Sequence, residues 1–306
     1  MRAAILDFGT NTFNLLIAEK EGNTFRVIFD GKEGVKLGKG GIHKGTISEE
    51  ALERGFSAIS RHMERINAHH VDQIHAYATS AIRNASNGKE FAGEVRKRFG
   101  FDIHIIDGEE EAALIYEGIR ESVDFGTENV MIMDIGGGSI EFIICNSKGV
   151  LWKHSFELGM ARIIEKFTLS DPIQAREKKA VEAYYREELS LLDDAVAAHH
   201  PSMLVGASGT FDTLAAMAVH KYSIDKEKLA TSLELKDAYF NEIYAELLAS
   251  TARERLAMPG MEPVRVEMIV PATIFISFVY KHYNLRSMRQ SSYALKEGVM
   301  SRIVKA

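Results

Sequence analysis

The chain has 306 residues, of which 46% are hydrophobic and 26% are charged, and its formal net charge is −6 at pH 7. This composition is typical of a globular protein with about two domains. The negative net charge excludes a globally basic surface for non-specific binding of a nucleic-acid duplex, so any polyanion has to be bound by a local site.

The sequence also bears on the cellular compartment. Its single cysteine, Cys145, excludes an intrachain disulfide, agrees with a reducing environment and is expected in a strand of the core. An acid, Asp7, interrupts the N-terminal apolar residues early, which argues against a signal peptide. No later apolar run is long and uncharged enough to span a bilayer. We therefore predict a cytoplasmic protein that is not inserted in a membrane.

The first predicted element is a β-hairpin. Apolar strands over residues 3–6 and 13–18 flank a tight turn, residues 7–12, that contains an acid, a glycine and hydroxyl side chains. A second hairpin with the same kind of turn, residues 134–139, is predicted over residues 130–144. One such turn is common, whereas two, each opening one half of the chain, indicate a duplicated domain.

Helices and strands alternate through the rest of the chain, and the polar segment 122–129 is the predicted domain boundary. In chain order we expect a helix begun by Ser48, a strand at 74–78, a helix at 90–99, a strand at 101–106, a helix at 108–119, a strand at 203–205, a helix from Asp212, a buried helix at 268–280 and a final helix at 292–304.

The two hairpin turns are the first candidate for chemistry. Glycines let the backbone approach a ligand and point amide N–H groups at phosphate oxygens, hydroxyl and amide side chains add donors, and an acid at a strand end can hold a metal ion. The alternative is two ordinary turns with capping acids. The candidate phosphate-binding residues are Gly9, Thr10, Asn11, Thr12, Gly136, Gly137, Gly138 and Ser139, and the candidate metal-binding acids are Asp7 and Asp134.

Two further segments also suit phosphate chemistry. The loop Gly206-Ala-Ser208-Gly209-Thr210 joins a strand to a helix and is typical of an anion site, although it lacks the lysine of a Walker A loop. The acids 109–111 open a helix, where they stabilise the helix dipole or place one carboxylate in a cleft to take a proton from water.

Basic residues supply two more candidates. Arg83 follows a strand end and suits bidentate phosphate binding, although many loop arginines are merely solvated. The lysine-containing stretch 31–44 is expected to be a mobile loop that either grips a polyanion or solubilises the chain. The histidine pairs at 69–70 and 199–200 are interpreted as structural or exposed, because adjacent histidines rarely face one ion.

At this point the ordered motifs resemble one family, the Ppx/GppA exopolyphosphatases and guanosine pentaphosphate phosphohydrolases of the actin-like ATPase superfamily. The resemblance spans nearly the whole chain. It rests on Asp7-Phe-Gly-Thr-Asn-Thr-Phe-Asn-Leu, Thr79-Ser-Ala-Ile-Arg-Asn-Ala, Gly108-Glu-Glu-Glu-Ala, Asp134-Ile-Gly-Gly-Gly-Ser-Ile-Glu, Leu158-Gly-Met-Ala-Arg and Gly206-Ala-Ser-Gly-Thr.

The resemblance implies an α/β fold of two actin-like (ribonuclease H-like) domains around a cleft. Domain I would comprise residues 1–121 with the C-terminal helix, 292–306, packed back on it, and domain II residues 122–291. Glu111 is implied as the catalytic base and Arg83 as a group that stabilises transferring charge. The resemblance further implies Mg²⁺ or another divalent cation, held by Asp134 with Asp7 or Glu141. A homodimer is a further expectation.

The chain departs from the family pattern at Asn14, Lys36 and Lys296, where arginines are usual, and longer relatives continue into helical domains. The expected activity is removal of the terminal phosphate from inorganic polyphosphate. The alternatives are hydrolysis of guanosine pentaphosphate (pppGpp), an ATP-dependent kinase, and a non-catalytic regulator that binds nucleotide.

Overall fold

A computed structural model describes residues 1–225 and 231–305 of the chain. The first of its two sheets has the strand order β3-β2-β1-β4-β5. β1, β2 and β3 form an antiparallel meander, whereas β4 and β5 run parallel to β1. These strands are β1 (Arg2–Phe8), β2 (Thr12–Glu21), β3 (Thr24–Gly34), β4 (Gln73–Ala78) and β5 (Ile103–Ile105).

The second sheet repeats this arrangement. Its order is β10-β11-β9-β6-β7-β8, in which β6, β7 and β8 form the meander and β9 and β11 run parallel to β6 and to each other. Its strands are β6 (Val130–Ile135), β7 (Ile140–Asn146), β8 (Gly149–Phe156), β9 (Met203–Ala207), β10 (Ser232–Glu234) and β11 (Ser287–Ser291). Apart from β10 the two orders are the same, which confirms the duplication predicted from the two hairpins.

Helices cover the sheets. Those of the first part of the chain are α1 (Glu49–Ala68), α2 (Ser80–Arg83), α3 (Gly88–Phe99) and α4 (Gly108–Ile119). Those of the second part are α5 (Met160–Lys166), α6 (Ala175–Glu188), α7 (Ser190–His199), α8 (Ser208–Tyr222), α9 (Asp237–Ala249), α10 (Ala252–Leu256) and α11 (Ile269–His282), and the chain ends with α12 (Leu295–Lys305). Short 3-10 turns lie at Ile42–Lys44 and Pro263–Arg265.

Local sequence explains several of these helices. Ser48 caps α1 by accepting a hydrogen bond from the Ala51 N–H, as its position before two glutamates predicts. α11 is buried almost all round, which confirms the buried helix expected from its apolar run. No helix in the described ranges is long and apolar enough to cross a membrane.

The C-terminal helix joins the two parts of the molecule. α12 packs on α4 and against the first sheet, and a core cluster holds residues of both helices together with strands of both sheets. The helices approach so closely that a Cβ on Gly298 would lie 1.9 Å from the Leu114 carbonyl oxygen. Residues 122–129 form neither helix nor strand, and the proposed division at this segment stays a prediction.

Some predicted elements differ from the structure. The expected loop at 31–44 is wrong at its start, because residues up to Gly34 extend β3, an edge strand of alternating exposure. The final helix begins at Leu295 rather than at 292, and the polar strand β11 precedes it. β11 has few apolar residues and is buried by its neighbours β9 and β10.

Candidate active site

The main cleft lies where the hairpin turns of the two sheets face each other. It encloses a cavity of about 130 Å³ whose walls come from both turns, the start of α4, the start of α8 and the start of α12. Of the predicted site residues, those in its lining are Asp7, Gly9, Thr10, Asn11, Thr12, Glu111, Asp134, Gly136, Gly137, Gly138, Ser139, Glu141, Ser208 and Gly209. Residues predicted from separate segments are therefore brought to one site.

The two turns have the same internal geometry. In the first, the Gly9 N–H donates to the Thr12 carbonyl at 3.0 Å, and in the second, the Gly136 N–H donates to the Ser139 carbonyl at 3.0 Å. Gly138 lies so close to the opposite turn that a Cβ there would be 2.7 Å from Thr10 Oγ1. Only a glycine fits this approach, so the sequence of the second turn sets the width of the cleft.

Each hairpin also places an acid in an equivalent position. Asp7 pairs across its hairpin with Asn14, whose amide donates to Asp7 Oδ2 at 2.8 Å, and Asp134 pairs with Glu141. Burial raises the pKa of Asp7 to about 6. Burial, with the nearby charge of Asp7, raises the pKa of Asp134 to about 7, although a hydrogen bond from Ser208 opposes the shift.

Glu141 is the most deeply buried of these acids, with 1% of its surface exposed. Burial and the charge of Asp134 raise its pKa to about 8, despite the Ser155 hydroxyl that donates to Oε1 at 2.7 Å. The carboxylates on these hairpins therefore repel one another in a site with little water to screen them.

Glu111 lies in the first turn of α4, and it is the buried member of the acidic triplet, whereas Glu109 and Glu110 are exposed. Burial, reinforced by the charge of Glu141, raises its pKa well above the usual range, and Arg83 opposes this shift. Arg83 Nη1 donates to Glu111 Oε2 at 2.7 Å and to the Ile106 carbonyl at 3.1 Å. Arg83 does not line the cavity itself, so its contact with the site runs through Glu111.

The start of α8 forms the opposite wall. Ser208 and Gly209 line the cavity as predicted, whereas Gly206 and Thr210 do not. A Cβ on Gly206 would lie 2.1 Å from the ring of Phe211, so the glycine makes room for that ring. Thr210 is buried, with 1% of its surface exposed.

Two charged residues of this wall are absent from the sequence prediction, Asp212 and Arg265. The Arg265 guanidinium packs against Gly209, and a Cβ there would lie 2.0 Å from Nη2. Its Nε atom is buried and has no hydrogen-bond partner among the described residues. Arg265 ends a short 3-10 turn after Pro263 and Val264, and no local pattern in the sequence marks it as a site residue.

Lys296 and Glu297, at the start of α12, complete the lining. Lys296 Nζ contacts Glu297 Oε1 at 2.6 Å and Asp30 Oδ2 at 2.9 Å. A larger open cavity of about 570 Å³ adjoins this end of the cleft, and its walls include Asn14, Lys296 and Gln290. Two of the three departures from the family pattern, Asn14 and Lys296, thus lie between the two cavities.

The lysines of residues 31–44 are partly engaged. Lys32 Nζ pairs with Glu262 Oε1 at 2.5 Å, and Lys36 Nζ pairs with Glu267 Oε2 at 2.8 Å, so both meet acids of the other half of the molecule. The remaining two, Lys39 and Lys44, are exposed. Cys145 is buried in β7, as expected.

Whether a divalent cation fits the cavity depends on the donor atoms in its lining. Six carboxyl groups line the cavity against three cationic side chains, so its lining is rich in oxygen donors. Oxygen donors of this kind suit Mg²⁺, which keeps much of its water shell. Within residues 1–225 and 231–305, however, no three His, Cys, Asp or Glu side chains are grouped as they would be around a directly bound metal ion.

Comparison with known proteins agrees with this geometry. A family model described as the Ppx/GppA phosphatase family matches residues 16–306. The chain belongs to this family. The matched range begins after the first hairpin turn, so the role of that turn rests on its position opposite residues 136–139.

Solved structures extend the likeness to the whole chain. The crystal structure of an exopolyphosphatase from Cytophaga hutchinsonii is 39% identical, with a TM-score of 0.95, and covers 100% of this chain and 98% of that one. The Aquifex aeolicus member of the Ppx/GppA family, at 24% identity and a TM-score of 0.80, covers 100% of this chain and 98% of its own and shares the fold.

A curated relative is the bifunctional 3-dehydroquinate synthase/phosphatase of Fusobacterium nucleatum, which is 29% identical over 294 residues. The match covers 92% of this chain but only 43% of that protein. Together these findings confirm the predicted family, the α/β fold with its two sheets and the enzyme class, a hydrolase of phosphoric anhydrides.

Proposed function

We propose that this protein removes the terminal phosphate of inorganic polyphosphate by attack of a water molecule that Glu111 activates. The observation that carries the proposal is the position of Glu111, a buried carboxylate in the same cavity as the two glycine turns. Two turns suited to phosphate oxygens supply the binding site, and a carboxylate beside them supplies the base.

The roles of the residues follow from this arrangement. The terminal phosphoryl group would bind between turns 7–12 and 136–139, with amide N–H groups directed at its oxygens. The raised pKa of Glu111 makes its carboxylate a stronger base than a solvated glutamate, and Arg83 orients it. Arg265, a buried cation in the opposite wall, would neutralise charge on the phosphate.

A divalent cation is part of the proposal. Asp134, with Asp7 and Glu141, would hold Mg²⁺ or a similar ion through its water shell, because a cation favours the charged form of these carboxyl groups, whose pKa values burial raises. The ion would neutralise charge that develops on the phosphoryl oxygens. The acids would otherwise repel the substrate that the turns attract.

We favour polyphosphate as the substrate because the similar protein from Cytophaga hutchinsonii is called an exopolyphosphatase. The structure also favours one alternative, the pppGpp hydrolase. The adjoining cavity of about 570 Å³ has polar and apolar walls, including Gln290, Ala216 and Leu233, and has room for a nucleoside. We also predict that the protein is located in the cytoplasm and forms a homodimer.

The test is phosphate release measured side by side from polyphosphate of defined length, pppGpp and ATP, with Mg²⁺ and without any acceptor. We expect release from polyphosphate to be the fastest and to stop when a chelator removes the metal. Faster release from pppGpp would favour the alternative substrate. Phosphate transfer from ATP to a sugar or acid, with no hydrolysis of either substrate, would overturn the proposal in favour of a kinase.

A further inference from the structure

A single carboxylate outside the cavity joins several site elements. Glu157 follows β8, and its side chain is 44% exposed. Its two oxygens accept hydrogen bonds from Ser80 Oγ at 3.1 Å, Asn84 Nδ2 at 2.9 Å and Arg162 Nη2 at 2.5 Å. Arg83 Nη2 lies 3.5 Å from Oε1. Four donors thus converge on one carboxylate.

These donors come from both halves of the molecule. Ser80, Arg83 and Asn84 belong to α2 and its C-terminal cap, beside the first sheet, whereas Arg162 belongs to α5, beside the second. α2 has only four residues and few helical hydrogen bonds of its own. Glu157 supplies three side-chain contacts to this short helix and its cap, from Ser80, Asn84 and Arg83.

Glu157 fixes one end of the Arg83 guanidinium and the site fixes the other. Nη1 donates to Glu111 Oε2 and to the Ile106 carbonyl, while Nη2 faces Glu157. Because a guanidinium is planar and its N–H directions are rigid, holding both ends sets the direction from which Nη1 reaches Glu111. Arg83 is only 15% exposed, so little water competes for these donors.

The same carboxylate is connected to the phosphate turn of the second hairpin. Arg162 donates through Nε to the Gly138 carbonyl at 2.8 Å and through Nη2 to Glu157. A continuous chain of contacts therefore runs from Gly138 through Arg162, Glu157 and Arg83 to Glu111. It joins the turn in one half of the molecule to the proposed base in the other.

We propose that Glu157 is a positioning residue, which rests on the proposed function of the cleft. Through Arg83 it holds Glu111 at a set place relative to turn 136–139, by contacts that reach from one half of the molecule to the other. Glu157 touches no lining of the cavity except Ser80, so its removal changes the turnover step more than the affinity for substrate.

A double-mutant cycle tests this role, with kcat and KM for short polyphosphate measured for Glu157→Ala, Arg83→Ala and the pair. We expect Glu157→Ala to lower kcat by about tenfold or more, with KM changed by no more than about threefold. In the Arg83→Ala background the same substitution should change kcat by less than about twofold, because contacting residues that act as one unit are not additive. Glu157→Gln keeps an acceptor oxygen and should restore part of kcat.

Glu165→Ala is the matched control. Glu165 also joins the two halves, since it accepts from the Gly40 N–H at 3.3 Å and lies 3.6 Å from His43 Nε2, but it contacts neither Arg83 nor Glu111. It should lower kcat by less than about twofold, and unfolding curves show whether each variant is folded.

The outcomes separate the two proposals. If the wild-type protein releases phosphate and the losses from Glu157→Ala and Arg83→Ala multiply, Glu157 does not act through Arg83 and the inference is overturned. An equal loss of kcat in Glu165→Ala would mean that Glu157 acts only as a contact between the halves, and it would also overturn the inference. A wild-type protein that releases no phosphate contradicts the proposed function itself.

Discussion

Glu111 is the member of an acidic triplet that the fold buries, and burial gives it the properties of a base. Its neighbours Glu109 and Glu110 lie on the exposed side of α4, where they interact with the helix dipole and with solvent. The pKa of Glu111 is raised by burial and by Glu141, while Arg83 favours the charged form. A carboxylate whose pKa is raised in this way is a stronger base than a solvated glutamate.

Glu111→Gln is therefore expected to lower kcat by about 10²–10⁴ while the protein stays folded, because a positioned general base contributes about that factor. Glu110→Gln, which changes the adjacent exposed carboxylate, is the control and should alter kcat less than about twofold. Steady-state phosphate release with saturating Mg²⁺ measures both. Near-normal turnover in Glu111→Gln would contradict the role of Glu111 as the general base.

Single residues were predictable from the sequence where a local pattern marks them. The acid and glycines of each turn stand in a recognisable hairpin, and Glu111 was placed by its position in a motif. Arg265 and Glu157 were not predictable, because their partners lie far away in the chain. Arg265 packs against Gly209. Glu157 contacts Ser80 and Arg83. Tertiary packing alone makes these residues part of the site.

At the scale of elements, the crossing of α4 and α12 sets the position of Glu111. A Cβ on Gly118 would lie 1.9 Å from the Ala294 carbonyl oxygen, and a Cβ on Gly298 would lie 1.9 Å from that of Leu114. The backbones of the two helices are thus in direct contact. Lys296 and Glu297, which line the cavity, lie between the contact positions Ala294 and Gly298. A shift of α12 would therefore disturb the site.

Gly298→Ala should lower the free energy of unfolding by about 1–3 kcal/mol and reduce kcat, because its methyl group meets rigid backbone rather than a flexible side chain. Gly93→Ala is the matched control, since Gly93 is an exposed position inside α3 with nothing within 4 Å of the added Cβ. It should stabilise the protein by about 0.5–1 kcal/mol. Urea denaturation measures both, and an unchanged or stabilised Gly298→Ala would contradict the close crossing.

Helices with strong periodicity or a cap agree with their prediction, whereas polar strand segments were not predicted. α1 and α4 follow from their caps and apolar faces, and α11 from its apolar run, whereas residues 31–34 of β3 and the strand β11 are polar. These polar segments have no two-residue alternation of apolar side chains, so the sequence pattern alone does not assign them to a strand.

For the whole molecule, the buried acids couple stability to pH and to metal. The pKa values of Asp7, Asp134 and Glu141 are raised to about 6, 7 and 8 in the folded protein. In an unfolded chain they lie near about 4, so the folded protein holds more protons between these limits. Linkage then makes the free energy of unfolding fall as pH rises from about 4 to about 8.

We expect the melting temperature in chelator to fall between about pH 5.5 and about pH 8.5, and Mg²⁺ to restore it at the higher pH. Asp134→Asn removes one buried charge, so it should melt higher than the wild type at high pH in chelator and gain less from Mg²⁺. Thermal denaturation followed by circular dichroism measures these differences. A melting temperature that is level across this range, with no response to Mg²⁺, would contradict the proposed ion site.

The duplicated architecture was predictable because each half opens with the same hairpin, and the strand orders confirm it. Two features were not predictable, because they depend on how the halves face each other. These are the adjoining cavity and the ion pairs Lys32–Glu262 and Lys36–Glu267. Contacts of this kind lie beyond what local motifs determine.

The central claim is that water attacks the terminal phosphorus of the substrate in this cleft. Hydrolysis of short polyphosphate in ¹⁸O-labelled water, followed by mass spectrometry of the products, tests it most directly. The account predicts one solvent oxygen in each released phosphate and none in the shortened chain, with no acceptor present. Label found in the shortened chain instead, or release that requires an acceptor, would contradict it.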